Sequence, residues 1–108
     1  MKSVNEIVDL ASAYYGSAVL FAAIDVDLFA RIAKGERIEG RGMTLLADAC
    51  VAEGLLEKRD GAYFNTPAAE AALVPGGCAD LTKAIRYNRD VYPAWGRLAE
   101  FARTGSPV

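Results

Sequence analysis

Gly54 to Pro67, GLLEKRDGAYFNTP, is the stretch on which the fold of this chain turns. Gly54 follows a helical pattern and suits the left-handed position that ends a helix. Asp60-Gly61 is the pair favoured by a two-residue hairpin turn, with strands of roughly Leu56 to Arg59 and Ala62 to Asn65 on either side. Thr66-Pro67 reads as the N-cap and first residue of a new helix, which runs to about Leu73 and ends before the breaker Pro75-Gly76-Gly77.

Upstream, Leu45, Leu46, Ala49 and Cys50 set the preceding helix, expected to begin near Met43. Before it, KGERIEGRG (Lys34 to Gly42) holds three glycines and alternating charges, and reads as a loop with one short extended piece around Ile38. Three closely spaced helices open the chain. Val4, Ile7, Val8, Ala11, Tyr14 and Tyr15 form an amphipathic stripe. Ser17 to Ile24 is apolar on every side and is therefore expected to be buried all round. Asp25 and Asp27 interrupt, and Asp27 is placed to cap a short helix carrying Leu28, Phe29 and Ile32 that stops near Gly35.

Downstream, Leu81, Ile85, Asn88, Tyr92, Trp95, Ala99 and Ala102 alternate steps of four and three, the period of a helical seam with one polar member. Pro93 lacks the N–H to continue the ladder, so the seam reads as two helices or one kinked helix, ended by Thr104-Gly105-Ser106-Pro107. The fold class is mainly α, a single domain over residues 1–108 with one small β-hairpin. Helix, hairpin, helix is the trace of a winged-helix-like core, a scaffold that serves both as a DNA reader and as a dimerising platform.

With 53% hydrophobic residues in 108 the chain can fill a core, and part of that apolar load suits a second subunit. Twelve basic and fourteen acidic residues leave a net charge of −2, so no global field draws the chain to nucleic acid or anionic lipid. Cys50 and Cys78 belong to no metal-binding spacing, and read as reduced structural thiols of a cytoplasmic protein. The longest unbroken apolar run, Ala18 to Ile24, is far short of a bilayer span of about 20 residues. No basic n-region marks a signal peptide. Neither a membrane nor export is expected.

Histidine is absent, so the usual nucleophile and base pair cannot be assembled. Asp and Glu fall singly on polar faces. Gly35, Gly40 and Gly42 follow no strand and lack the context of a nucleotide-binding turn. For DNA, the helix after Arg41 would offer Thr44, Asp48 and Glu53 to the groove, where Arg, Lys, Asn or Gln is wanted. Lys58 and Arg59 on the hairpin are flanked by Glu57 and Asp60. Tyr14, Tyr15, Tyr87, Tyr92 and Trp95 remain as candidates for core packing, a subunit interface or the wall of a small-molecule pocket.

SAVLFAAIDVDLF (Ser17 to Phe29), LLADACVAEGLLEKRDGAYFNTPAAEAALVPG (Leu45 to Gly76) and YNRDVYPAWGRLAEFARTGSPV (Tyr87 to Val108) together resemble the N-terminal dimerisation domain of S-adenosylmethionine-dependent O-methyltransferases, of the bacterial and plant small-molecule type. The resemblance implies a helical domain with a winged-helix core that interlocks with its twin into an obligate dimer. Its first helices reach toward the partner's active site. The family's catalytic His and glycine-rich cofactor loop belong to a Rossmann-like domain that follows the equivalent of Gly105 to Val108. This chain is thus expected to hold no catalytic, cofactor-binding or metal residue, and to bind no S-adenosylmethionine, the cofactor of the parent family.

The expected roles are homodimerisation through Tyr14, Tyr15, Val19, Leu20, Phe21, Ile24 and Leu28, and, by the resemblance alone, lining of a substrate pocket by Tyr92 and Trp95. A small-molecule hydroxyl substrate is expected only with a catalytic domain. Two departures from the family stand out. The chain stops where the catalytic domain would start, as in an isolated domain, a truncated product or a stand-alone relic. Between Ile32 and Leu45 the family carries a further helix for which KGERIEGRGMT is too short. The alternatives are a small winged-helix DNA-binding transcriptional regulator and an orphan subunit that pairs with a full-length methyltransferase.

Overall fold

Ser3 starts the first helix. Its hydroxyl accepts from the Glu6 N–H at 3.2 Å, while its own N–H donates to the Glu6 carboxylate at 3.1 Å, the reciprocal capping box that satisfies two otherwise orphaned donors. In this computed structural model, which describes residues 1–107, the helix α1 (Val4–Ser12) buries none of its residues. A turn at Ala13 separates it from α2 (Tyr14–Asp25). Within α2 only Ala23 and Ile24 are buried. The expectation of burial all round is thus not met within one chain, because too few elements pack around the N-terminal half of α2.

An 18-residue stretch within Val4–Asp25 has a mean hydropathy of 1.6, so this span is long and apolar enough to cross a membrane by length and composition alone. The unbroken run of Ala18 to Ile24 understated this, since isolated polar residues such as Glu6, Asp9 and Ser12 lower the hydropathy of a helix without removing its apolar length.

Asp27 adopts φ 56°, ψ 34° and precedes α3 (Leu28–Ala33), but its side chain makes no capping hydrogen bond. The residue breaks the chain direction where it was expected to cap. Residues 34–40 form a connection without strand or helix, held by the burial of Ile38. The extended piece expected at Ile38 forms no ladder, and no additional helix lies between α3 and the next one. That next helix, α4 (Arg41–Ala52), begins two residues before the expected Met43. The Thr44 hydroxyl donates to the Gly40 carbonyl at 2.9 Å and secures this earlier start.

The hairpin matches its sequence signature. β1 (Leu56–Arg59) pairs antiparallel with β2 (Ala62–Asn65), with Leu56 opposite Asn65 and Arg59 opposite Ala62. Asp60 and Gly61 have φ of 51° and 78°, the double positive φ of a type I′ turn. Thr66 then caps α5 (Pro67–Ala72) by accepting from the Ala69 N–H at 3.2 Å, and its hydroxyl donates to the Leu55 carbonyl at 3.2 Å. The base of the hairpin and the start of α5 are therefore fixed by one side chain. The seam resolves into two helices, α6 (Thr82–Trp95), which contains Pro93, and α7 (Leu98–Thr104).

Phe29, Leu28 and Cys50 are the largest fully buried side chains, joined by Ile24, Ile32, Ile38, Leu56 and Leu73 where α2, α3, α4, α5 and the hairpin converge. Asn65 ties that core across the chain by donating to the Phe29 carbonyl at 3.0 Å. The helices at the two ends stand outside this core: α7, like α1, buries nothing. The radius of gyration is 16.4 Å and the extents are 49 × 31 × 28 Å. A compact chain of about 100 residues would have a radius near 13 Å, so the excess measures how far the end helices project.

Candidate functional site

α6 lies along α2 and brings together residues far apart in sequence. Ile85 packs against the core. One turn on, Arg89 Nε meets the Asp25 carboxylate at 2.9 Å. A further turn on, the Tyr92 ring meets Phe21 edge to face, with centroids 5.2 Å apart and planes at 64°, a geometry that places a positive ring edge on a negative face. Beyond this contact a groove of about 330 Å³ opens, lined by Tyr14, Ser17, Phe21, Asn88, Tyr92 and Trp95 among others. Tyr15 stands against Tyr14 at 4.4 Å and 67°, and its presence pushes the Tyr14 hydroxyl above the usual tyrosine pKa.

The sequence-selected aromatics thus meet at one place: Tyr14 and Phe21 from the proposed interface, Tyr92 and Trp95 from the proposed pocket wall. Trp95 is 67% exposed, so the seam does not bury it within one chain. Val19 and Leu20 are partly buried against the core. Ile24 at 3% and Leu28 at 0% exposure are consumed by the chain's own interior. Within one chain these two side chains face the core, covered by α3 and its neighbours.

Leu98 and Phe101 on α7, and Ile7 and Val8 on α1, are also exposed. The seam spacing led to Ala99 and Ala102 and passed over Leu98 and Phe101. The three-residue spacing from Trp95 through Leu98 to Phe101 is the signal that would have found them.

The hairpin cations are engaged within the chain. Lys58 Nζ donates to Asp48 Oδ1 at 3.1 Å, and the Tyr63 hydroxyl donates to the same oxygen at 2.6 Å. Tyr63 and then Lys58 hold the Asp48 carboxyl below its ordinary pKa. Arg59 lies 4.1 Å over the Phe64 ring, within the reach of a cation–π contact. Asp48, on the face of α4 that a DNA reader would turn to the groove, instead anchors the hairpin. Among the described residues no three His, Cys, Asp or Glu side chains cluster as a metal site. Burial pushes the Cys50 thiol up to about 11, whereas Cys78 is exposed.

No family model matches the chain. It is 36% identical over 118 residues to the tetracenomycin polyketide synthesis 8-O-methyl transferase TcmO of Streptomyces glaucescens, an alignment covering 94% of this chain and 33% of that protein. Its fold is similar to that of an O-methyltransferase family protein from Burkholderia thailandensis, with a TM-score of 0.78 and 27% identity over 100% of this chain and 35% of the other. It is also similar to human N-acetylserotonin methyltransferase in complex with SAM, with a TM-score of 0.77 and 28% identity over 97% and 37% of the two chains. The chain spans about a third of the length of the curated relatives it matches.

Proposed function

From the premise that this chain belongs, by sequence and by fold, with the S-adenosylmethionine-dependent O-methyltransferases over about a third of their length, we propose that it is the N-terminal, subunit-pairing part of such an enzyme. It forms a homodimer through α1, the exposed face of α2 and the end of α6, and contributes the aromatic groove to the wall of a small-molecule pocket. Methyl transfer and cofactor binding reside in the remainder of the family's length.

One observation carries this reading. α1 displays Val4, Ile7, Val8 and Leu10 to solvent and buries nothing, although a helix of its nine residues has no stability of its own in water. A second apolar surface is what would hold it helical, at about 25 cal/mol for each Å² of apolar area covered. The polar face of the same helix bears Glu6 and Asp9, which repel anionic lipid and favour a protein partner over a membrane. The acceptor would be a hydroxyl on a ring system, in keeping with the polyketide and N-acetylserotonin named for the relatives.

Sedimentation equilibrium at micromolar concentration is expected to give a dimer, and a monomer throughout would end the proposal. The internal engagement of Lys58 and Arg59 disfavours the DNA-binding alternative. A discrete duplex complex whose affinity falls steeply with salt would restore it.

A further inference from the structure

Asp25 closes α2 and Asp27 sits in the turn behind it. An acid at the C-terminal end of a helix opposes the macrodipole, and α2 has no basic residue in its last turn to offset it. The compensation comes from 64 residues away. Arg89 Nε reaches Asp25 at 2.9 Å and Arg86 Nη2 approaches Asp27 at 3.7 Å, and the two arginines are three residues apart on one side of α6. Arg89 also holds Asp90 at 2.9 Å through Nη1.

The start of α6 is fixed by the Leu81 N–H, which donates to the Ala72 carbonyl at 2.9 Å, but few groups define its placement further along. Thr82 is its one buried residue; otherwise Ile85 is half-buried against the core, Val91 is half-buried beside the groove, and the Tyr92 ring rests on Phe21. Such contacts are non-directional, whereas a guanidinium facing a carboxylate has a preferred geometry. We infer that the two acid–arginine pairs form a clasp that sets the seat of α6 on α2, and with it the shape of the groove between Tyr14 and Trp95. Arg89 and Arg86 are positioning residues for that groove. All four side chains are substantially exposed, so the clasp adds little to global stability, and its effect is on geometry. The clasp lies within one chain and holds whether a ligand or a second copy fills the groove.

Trp95 is the single tryptophan and reports from the groove. In the double variant Arg86→Gln, Arg89→Gln, acrylamide quenching of its fluorescence is expected to rise by less than about twofold, the ring being already 67% exposed and the pairs weak, with the far-UV spectrum retained. Salt at about 1 M, which shortens the Debye length to about 3 Å, should move the parent protein in the same direction. The exchange Asp25→Arg with Arg89→Asp should return quenching toward the parent value. Unchanged quenching in the folded double variant would overturn the clasp, as would failure of the exchange to restore it. Sedimentation at the same concentration completes the test: altered quenching at constant mass supports positioning within the chain, and altered quenching that appears only with altered mass overturns it.

Discussion

Phe21 and Tyr92 stand 71 positions apart in the sequence and meet edge to face at 5.2 Å. This contact lies at the inner end of the groove and joins the two helices whose exposed aromatics were selected for different roles. Ile24, one turn along α2, points into the core instead. The same helix therefore carries side chains with opposite consequences for mutation.

Phe21→Asp should give a folded chain that no longer pairs, whereas Ile24→Asp should strongly destabilise the fold itself. A carboxylate at Ile24 would be buried without a partner, a change that costs about 3 to 5 kcal/mol against a total stability of order 5 to 15 kcal/mol. Circular dichroism combined with sedimentation separates the two outcomes. Equal effects from both changes would show that the division of α2 into core and outer faces is wrong.

Trp95→Ala distinguishes a ring that is exposed from one that a partner covers. In a single chain the ring is 67% exposed, so the loss should stay within about 0.5 kcal/mol, as for surface positions generally. Where a second copy covers it, the loss should approach the roughly 3 to 5 kcal/mol of a buried tryptophan. Urea denaturation at high and low protein concentration is expected to show the larger loss only at high concentration. A small loss at both would remove Trp95 from any interface.

Asp80 gives acid stability a local origin. Thr82, through its hydroxyl at 2.6 Å, the Gly76 N–H at 3.0 Å and the Thr82 N–H at 2.8 Å bring its carboxyl down from 3.8 to about 2. A folded pKa below the unfolded one means that the unfolded chain binds the proton more readily. The contribution is therefore fully present above about pH 4 and is lost as pH falls through about 2. Asp80→Asn should flatten the stability profile in that window. An unaltered profile would show that the turn before α6 is held by other bonds.

The two thiols should separate cleanly by rate. Cys50 is buried with its pKa pushed up to about 11 by desolvation, and only a thiolate attacks a disulfide reagent. Cys78 is exposed. In the native protein one thiol should react promptly, with the second following only on unfolding. Two prompt thiols would show that the core around Cys50 opens readily.

The parts of the fold legible in the sequence are those fixed by neighbours along the chain. Asp60-Gly61 specifies its turn through backbone freedom alone, and Thr66-Pro67 specifies a helix start through one hydroxyl and one ring. Asp27 shows the limit of such reading. Its position at a helix boundary is evident, but whether its carboxylate caps the helix or turns to an arginine 59 residues later depends on packing. The overstatement for α2 has the same cause, because an all-apolar helix signals that something covers it without saying what. Of the candidate site, the aromatic members were readable as residues. Their convergence was not, since the spacing from Phe21 to Tyr92 and from Asp25 to Arg89 has no local signature. Leu98 and Phe101 escaped because the alternating seam register runs through Ala99 and Ala102, whereas their own signal is the three-residue step from Trp95.

The connection from Gly35 to Gly40 bears on how chains of this kind change length. Its first and last residues have φ of 79° and 92°, conformations that glycine adopts without strain, and Ile38 between them is the one side chain drawn into the core. Such a bridge has two swivels and two tethers, the second being Glu36, whose carboxylate accepts from Arg31 Nε at 3.0 Å and Nη2 at 2.8 Å. The alignment with the Streptomyces glaucescens protein runs to 118 residues against the 108 of this chain, so homologous descent has tolerated insertion or deletion somewhere along the domain. A surface segment tethered at so few points can be lengthened or trimmed while α3 and α4 keep their places, at little expense to the rest of the architecture.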